Sequence, residues 1–107
     1  MANTYSDPTS AFDLLDTAFL IYCLEGELKY SFYCGITNDL ERRRGEHNVE
    51  HYIQTVKMDS FELAKKVEAM MHDAGFDTGK QLSNGQEDPV YVYLYRKVPG
   101  VTIENPN

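Results

Sequence analysis

The chain has 107 residues, 42% of them hydrophobic and 25% charged, with a formal net charge of −7 at pH 7. That length suits one domain with a modest core. No stretch approaches the ~18 continuous apolar residues of a membrane span, and the start, MANTYSDPTS, has neither the basic nor the apolar region of a signal peptide. The expectation is a cytoplasmic protein. The acidic balance argues against a general nucleic-acid binder, which usually carries a basic footprint. The charge is unevenly spread, however. Residues 35–66 hold six acids and six bases, including Arg42, Arg43, Arg44, Lys65 and Lys66, so any anion site would lie there.

In chain order, residues 1–16 read as a polar N-terminal tail with room for a short helix around 11–16. A single domain follows over 17–98, and residues 99–107 read as a second tail. Within the domain, AFLIYCLE at 18–25 reads as a buried strand, and KYSFYCGI at 29–36 as the second strand of a hairpin turning near Gly26. Asn38, with Glu41 three residues on, and Asp59, with Glu62, have the capping-box pattern of helix starts. The helix after Asp59 carries an apolar stripe of Leu63, Ala64, Val67, Met70, Met71 and Ala74, and Gly75 ends it. Residues 52–58 are strand-like. VYVYLYR at 90–96 alternates strongly, and its Tyr91, Tyr93 and Tyr95 share a face expected to be half exposed. Cys23 and Cys34 lack metal-ligand spacing and read as small core hydrophobes without a disulfide. Hairpin strands interspersed with helices give an α+β fold: a small central antiparallel β-sheet flanked by helices.

The helix expected over 38–48 is unusual, because Leu40 is its only large apolar residue. On helical spacing Leu40, Arg43 and His47 share a face, so an inward Leu40 brings an arginine and a histidine with it. Burying those costs free energy unless they find partners. Glu68 lies at the edge of the next helix's apolar stripe, where a glutamate is ordinarily solvated.

Together these residues resemble the GIY-YIG nuclease family, in particular its small stand-alone members. The likeness is carried by IY at 21–22, YCG at 33–35, the run GITNDLERRRGEH, and Ala64-x-x-x-Glu68. It covers roughly residues 18–75. The resemblance implies hydrolysis of a DNA phosphodiester with one divalent metal, Mg²⁺ or Mn²⁺. It makes Tyr22, Tyr33, Arg43, His47 and Glu68 the catalytic residues and Glu68 the metal ligand. Arg42, Arg44, Lys65 and Lys66 would face the DNA backbone, and Asn84 is the nearest match to a late asparagine near the metal. The residue types suit the chemistry. A carboxylate is a hard ligand for such an ion, and arginine matches phosphate by paired hydrogen bonds. A tyrosine becomes a base only when something lowers its pKa. A domain this small would take specificity from a partner protein or a homodimer. The runner-up reading is a catalytically weak or inactive domain of the same kind, serving as a nucleic-acid- or protein-binding module. Its support is the net acidity and the absence of lysines after Glu68.

Overall fold

A computed structural model of the chain describes residues 4–79 and 90–105. The elements run β1 (Thr4–Tyr5), α1 (Pro8–Tyr22), β2 (Phe32–Thr37), α2 (Leu40–His47), β3 (Gln54–Met58), α3 (Phe61–Asp73) and β4 (Tyr91–Arg96), with a short 3-10 turn at Lys29–Ser31. The fold is α+β. One four-stranded sheet has the order β1-β3-β4-β2, in which β4 is antiparallel to both neighbours and β1 adds a parallel edge.

Two expectations about the first third of the chain do not hold. The run 18–25 is not a strand: α1 extends through Tyr22. Asp7 accepts the Thr9 N–H at the helix start, and Pro8 sits at the first helical position, where its missing N–H is harmless. Ala11, Leu15, Ala18 and Phe19 then form one buried stripe at helical spacing. An apolar run alone fits helix or strand, and here the stripe that begins upstream decides it. Leu20 and Ile21 are therefore left exposed. Residues 1–16, expected as a tail, supply β1 and over half of α1. The hairpin between 18–25 and 29–36 consequently does not form. The partner of β2 is β4, in the register Tyr33↔Tyr95, Cys34↔Leu94 and Gly35↔Tyr93.

Alternation along β2 and β4 divides the molecule into two layers. Phe32, Cys34, Val92 and Leu94 face α1 and α3, and pack with Leu15, Phe19, Val67 and Met71 in the main core. Tyr33, Tyr93 and Tyr95 face the other way and cluster with Val49, Leu40 and Tyr52. The tyrosines of β4 are thus not a half-exposed decoration. Tyr93 and Tyr95 are 1% and 0% exposed, because α2 and the loop after it cover them. Cys34 is buried in the core, as expected, whereas Cys23 is only half-buried at its edge; both are free thiols. Both helix starts lie one residue later than the capping boxes suggest: Asp39 caps α2 by accepting from Arg42, and Ser60 caps α3 by accepting from Leu63.

Gly35 is required by its cross-strand neighbour. A Cβ there would overlap the ring and hydroxyl of Tyr93. Gly35→Ala is expected to cost about 1–3 kcal/mol by overpacking in chemical denaturation. The cost should persist in a Tyr93→Phe background, because the ring itself is overlapped, and shrink in a Tyr93→Leu background. Leu15→Ala is expected to cost about 2–5 kcal/mol. A loss under 0.5 kcal/mol, typical of surface changes, would return residues 1–16 to the status of a tail.

Candidate active site

The helix with almost no apolar side chains lies over the tyrosine face of the sheet. Leu40 anchors its start, and its carbonyl accepts the Tyr52 hydroxyl at 2.7 Å. One turn on, Arg43 is half buried, and at the end of the helix His47 has no exposed surface. The face predicted from spacing is the face that packs, and its polar members are satisfied. His47 Nδ1 lies 2.6 Å from the Ile103 carbonyl, and Nε2 lies 2.7 Å from the Tyr93 hydroxyl. A carbonyl only accepts, so Nδ1 carries the proton and Nε2 accepts from Tyr93. Arg43 bonds Glu46 at 2.7 Å, and its charge acts on Tyr93. The Tyr93 hydroxyl thus lies within the field of an arginine while its proton points at a neutral histidine.

Tyr33 completes the group from β2, its ring 5.1 Å from that of His47 and 5.3 Å from that of Tyr95. Its hydroxyl lies against the backbone of Gly79, where a Cβ would come within 2.5 Å. Gly79 has φ +61, in the left-handed region. The segment before it bridges to β2 through Tyr33 and Asp77. From the opposite layer, Glu68 of α3 acts electrostatically on Tyr33 and Cys34. Glu68 is 3% exposed, not the solvated edge residue its helical position suggested.

Burial shapes the proton affinities. Desolvation, followed by the Glu68 charge, pushes the Tyr33 hydroxyl up to about 12, with Arg43 opposing. Burial likewise raises Tyr93, and the nearby Arg43 charge pulls it back only in part. His47 is lowered by burial first, with Arg43 adding to the effect and Ile103, Glu104 and Glu46 opposing it. At neutral pH the site therefore holds protonated tyrosines and a neutral imidazole. Such a set can accept a proton at His47 and stabilise negative charge at Arg43.

The remaining expected residues are placed elsewhere. Tyr22 ends α1 on the other side of the sheet with its side chain 51% exposed, and its backbone carbonyl accepts from Arg96. It makes no hydrogen bond or ring contact with Tyr33, Arg43 or His47. The tyrosine beside His47 and Arg43 is Tyr93. The three tyrosines alternating on one strand face were the available signal for it, since only a covering layer makes such a face buried. Arg42 lies 3.7 Å from Glu46, and Arg44 pairs with Glu41 at 2.8 Å. Lys65 and Lys66 are exposed on α3, with Lys65 over the Phe61 ring. Asn84 lies outside the described residues. Among the described residues no group of three or more His, Cys, Asp or Glu could hold a metal, which leaves Glu68 as a single buried carboxylate.

No curated protein and no solved structure matches the chain. The family model described as GIY-YIG catalytic domain matches residues 18–81. The matched segment contains Tyr33 on β2, Arg43 and His47 on α2 and Glu68 on α3, and stops short of β4 and Tyr93. It spans more than half of the 107 residues, and the chain belongs to the GIY-YIG catalytic domain family.

Proposed function

We propose that the protein is a metal-dependent DNA endonuclease acting in the cytoplasm, with Tyr33, Tyr93, Arg43, His47 and Glu68 as its active site. The observation that carries this reading is the Tyr93 hydroxyl donating to His47 Nε2 at 2.7 Å, with Tyr33 beside the imidazole and Arg43 on the same face of α2. In this reading Tyr93, rather than Tyr22, is the tyrosine that hands the water proton on to His47.

In the reaction a water oxygen attacks phosphorus, forming the new P–O bond as the bridging P–O bond breaks. The water proton passes to the Tyr93 oxygen as the Tyr93 proton moves to His47 Nε2. The departing alkoxide takes a proton from solvent, and the proton on the buried His47 returns through the Tyr93 hydroxyl to reset the site. Arg43 holds the phosphate and balances the added negative charge. Tyr33 hydrogen-bonds the phosphate or the attacking water. Glu68, a single buried hard oxygen donor, is the residue that would hold Mg²⁺ or Mn²⁺. When bound, that ion supplies charge neutralisation at the leaving oxygen. Arg42, Arg44, Lys65 and Lys66 are the cations available to the DNA backbone, and a partner protein or a second copy supplies sequence choice.

One observation favours a second reading, a catalytically weak binding module. Arg42, Arg43 and Arg44 all pair with glutamates of their own helix, in a chain of net charge −7. Phosphate must displace those carboxylates to bind.

Plasmid nicking with Mg²⁺, Mn²⁺ and EDTA separates the two. Cleavage is expected with either metal, lost with EDTA and lost in both Arg43→Ala and Glu68→Gln; no cleavage of duplex, single-stranded or branched DNA in any metal would establish the binding module instead. Removing the general base is expected to cost about 10²–10⁴-fold in kcat for His47→Ala. Tyr93→Phe should fall comparably and Tyr22→Phe should stay at wild-type rate; the reverse pattern would restore Tyr22 to the site. Because burial lowers His47, the neutral base persists below its unfolded value of about 6.5. The acid limb of kcat/KM should therefore lie below that pH, and a limb above it would exclude His47 as the base.

A further inference from the structure

The segment after β4, expected as a tail, returns to the active site. A turn closed by the Val101 and Thr102 N–H groups on the Val98 carbonyl, with Gly100 at φ +79, sends the chain back toward α2. There the Asn48 side chain donates to the Val101 carbonyl at 2.9 Å. Both backbone groups of Ile103 are then spent on one residue. Its N–H donates to the His47 carbonyl at 2.7 Å, and its carbonyl accepts His47 Nδ1–H at 2.6 Å. The next residue, Glu104, accepts the Tyr95 hydroxyl proton at 2.9 Å, and the Tyr95 oxygen lies 3.2 Å from His47 Nδ1. Every proton in this chain has a place. Tyr95 gives its proton to Glu104, which leaves its oxygen free to share Nδ1–H with Ile103.

We propose that Val101–Glu104 is a positioning element of the active site, in which the Ile103 carbonyl fixes His47 as the Nδ1–H tautomer and Glu104, acting through Tyr95, balances the charge His47 gains on taking the Tyr93 proton. Only that tautomer turns an acceptor toward Tyr93. In the other, Nε2 would present a proton to the Tyr93 hydroxyl and could not take one from it. The charged and titratable groups around His47 are Arg43 and Glu46 from α2, Tyr33 from β2, Tyr93 and Tyr95 from β4, and Glu104 from this segment. Burial and Arg43 disfavour the imidazolium, whereas Ile103, Glu104 and Glu46 favour it. Two of its three supports therefore come from residues 103 and 104. The catalytic consequence rests on the nuclease reading; the tautomer does not.

The test is ¹⁵N-histidine labelling of the full chain without DNA. His47 is followed through its two-bond ¹H–¹⁵N couplings between about pH 5 and 8, beside nicking rates of the same samples. Wild type should show His47 protonated at Nδ1 alone. Glu104→Gln keeps the Ile103 backbone, so it should retain that tautomer and titrate at lower pH, with the acid limb of activity moving the same way. Its plateau kcat should drop by about tenfold, the low end of the effect seen when hydrogen-bond partners of metal-ligating residues are removed, with KM unchanged. A chain ending at Gly100 should show mixed tautomers. Because truncation can unfold the protein, the Glu104→Gln result decides. An Nε2–H tautomer in wild type, or an unmoved midpoint in Glu104→Gln, would overturn the proposal. A merely structural segment would lower stability and leave midpoint and acid limb in place. DNA cleavage with an unmoved midpoint removes this proposal and keeps the nuclease reading. The expected tautomer and shift without any cleavage keep the positioning of His47 and remove the nuclease reading.

Discussion

The register of β2 against β4 holds the rest of the molecule in place. With Gly35 opposite Tyr93, every second residue of both strands turns toward α1 and α3, and every other one toward α2. A slip of β4 by one residue would send Tyr93 and Tyr95 into the aliphatic core and Val92 and Leu94 beneath a polar helix. The glycine makes the register specific, because no other residue leaves room for the tyrosine ring across from it. Once the aromatic face is set, α2 needs few apolar residues of its own. Leu40 and the ring of His47 lie on tyrosines, and the imidazole nitrogens are met by a hydroxyl on one side and a carbonyl on the other. A helix poor in hydrophobic residues is stable here because its buried polar groups are paired, the condition under which such burial is tolerated.

Much of this was legible from residue spacing. The shared face of Leu40, Arg43 and His47 followed from helical geometry, as did the apolar stripe of α3. The position of α1 was less legible, because AFLIYCLE is apolar enough for either state and strand was the wrong choice. The deciding signal lay upstream, in Asp7-Pro8 and the spacing of Ala11, Leu15 and Phe19. That error carried further. A strand assigned to 18–25 supplied a false hairpin partner for β2 and left β4 without a role, so its tyrosines looked like surface residues. Glu68 was underestimated for a similar reason. A wheel shows that a residue lies at a stripe's edge, but not what packs over the edge. The bonds from Ile103 and Glu104 to His47 and Tyr95 join segments distant in sequence, and no local pattern reports such contacts.

The electrostatics are balanced within elements. Each arginine of α2 has a glutamate three or four residues away, and such exposed pairs contribute only ~0.2–1 kcal/mol. They are weak enough to be exchanged for a phosphate, yet they remove the long-range attraction that unpaired arginines would offer. An acidic chain with internally compensated arginines associates slowly with a polyanion and gains little from low salt. Selectivity among anions then falls to the geometry around Arg43 rather than to net charge.

Gly35 and Tyr93 are distant along the chain, and His47 waits on Ile103 and Glu104. While the protein is being synthesised, α1, β2, α2 and α3 emerge before the strand that orders them against one another. Pairing between distant segments forms late because closing a long loop costs entropy before the contacts repay it. A nascent chain that already displays Tyr33, Arg43 and Glu68 therefore lacks both the hydroxyl that faces His47 and the carbonyl that orients its ring. The site is thus completed only after residues 91–104 have left the exit tunnel, once synthesis of the preceding elements is over.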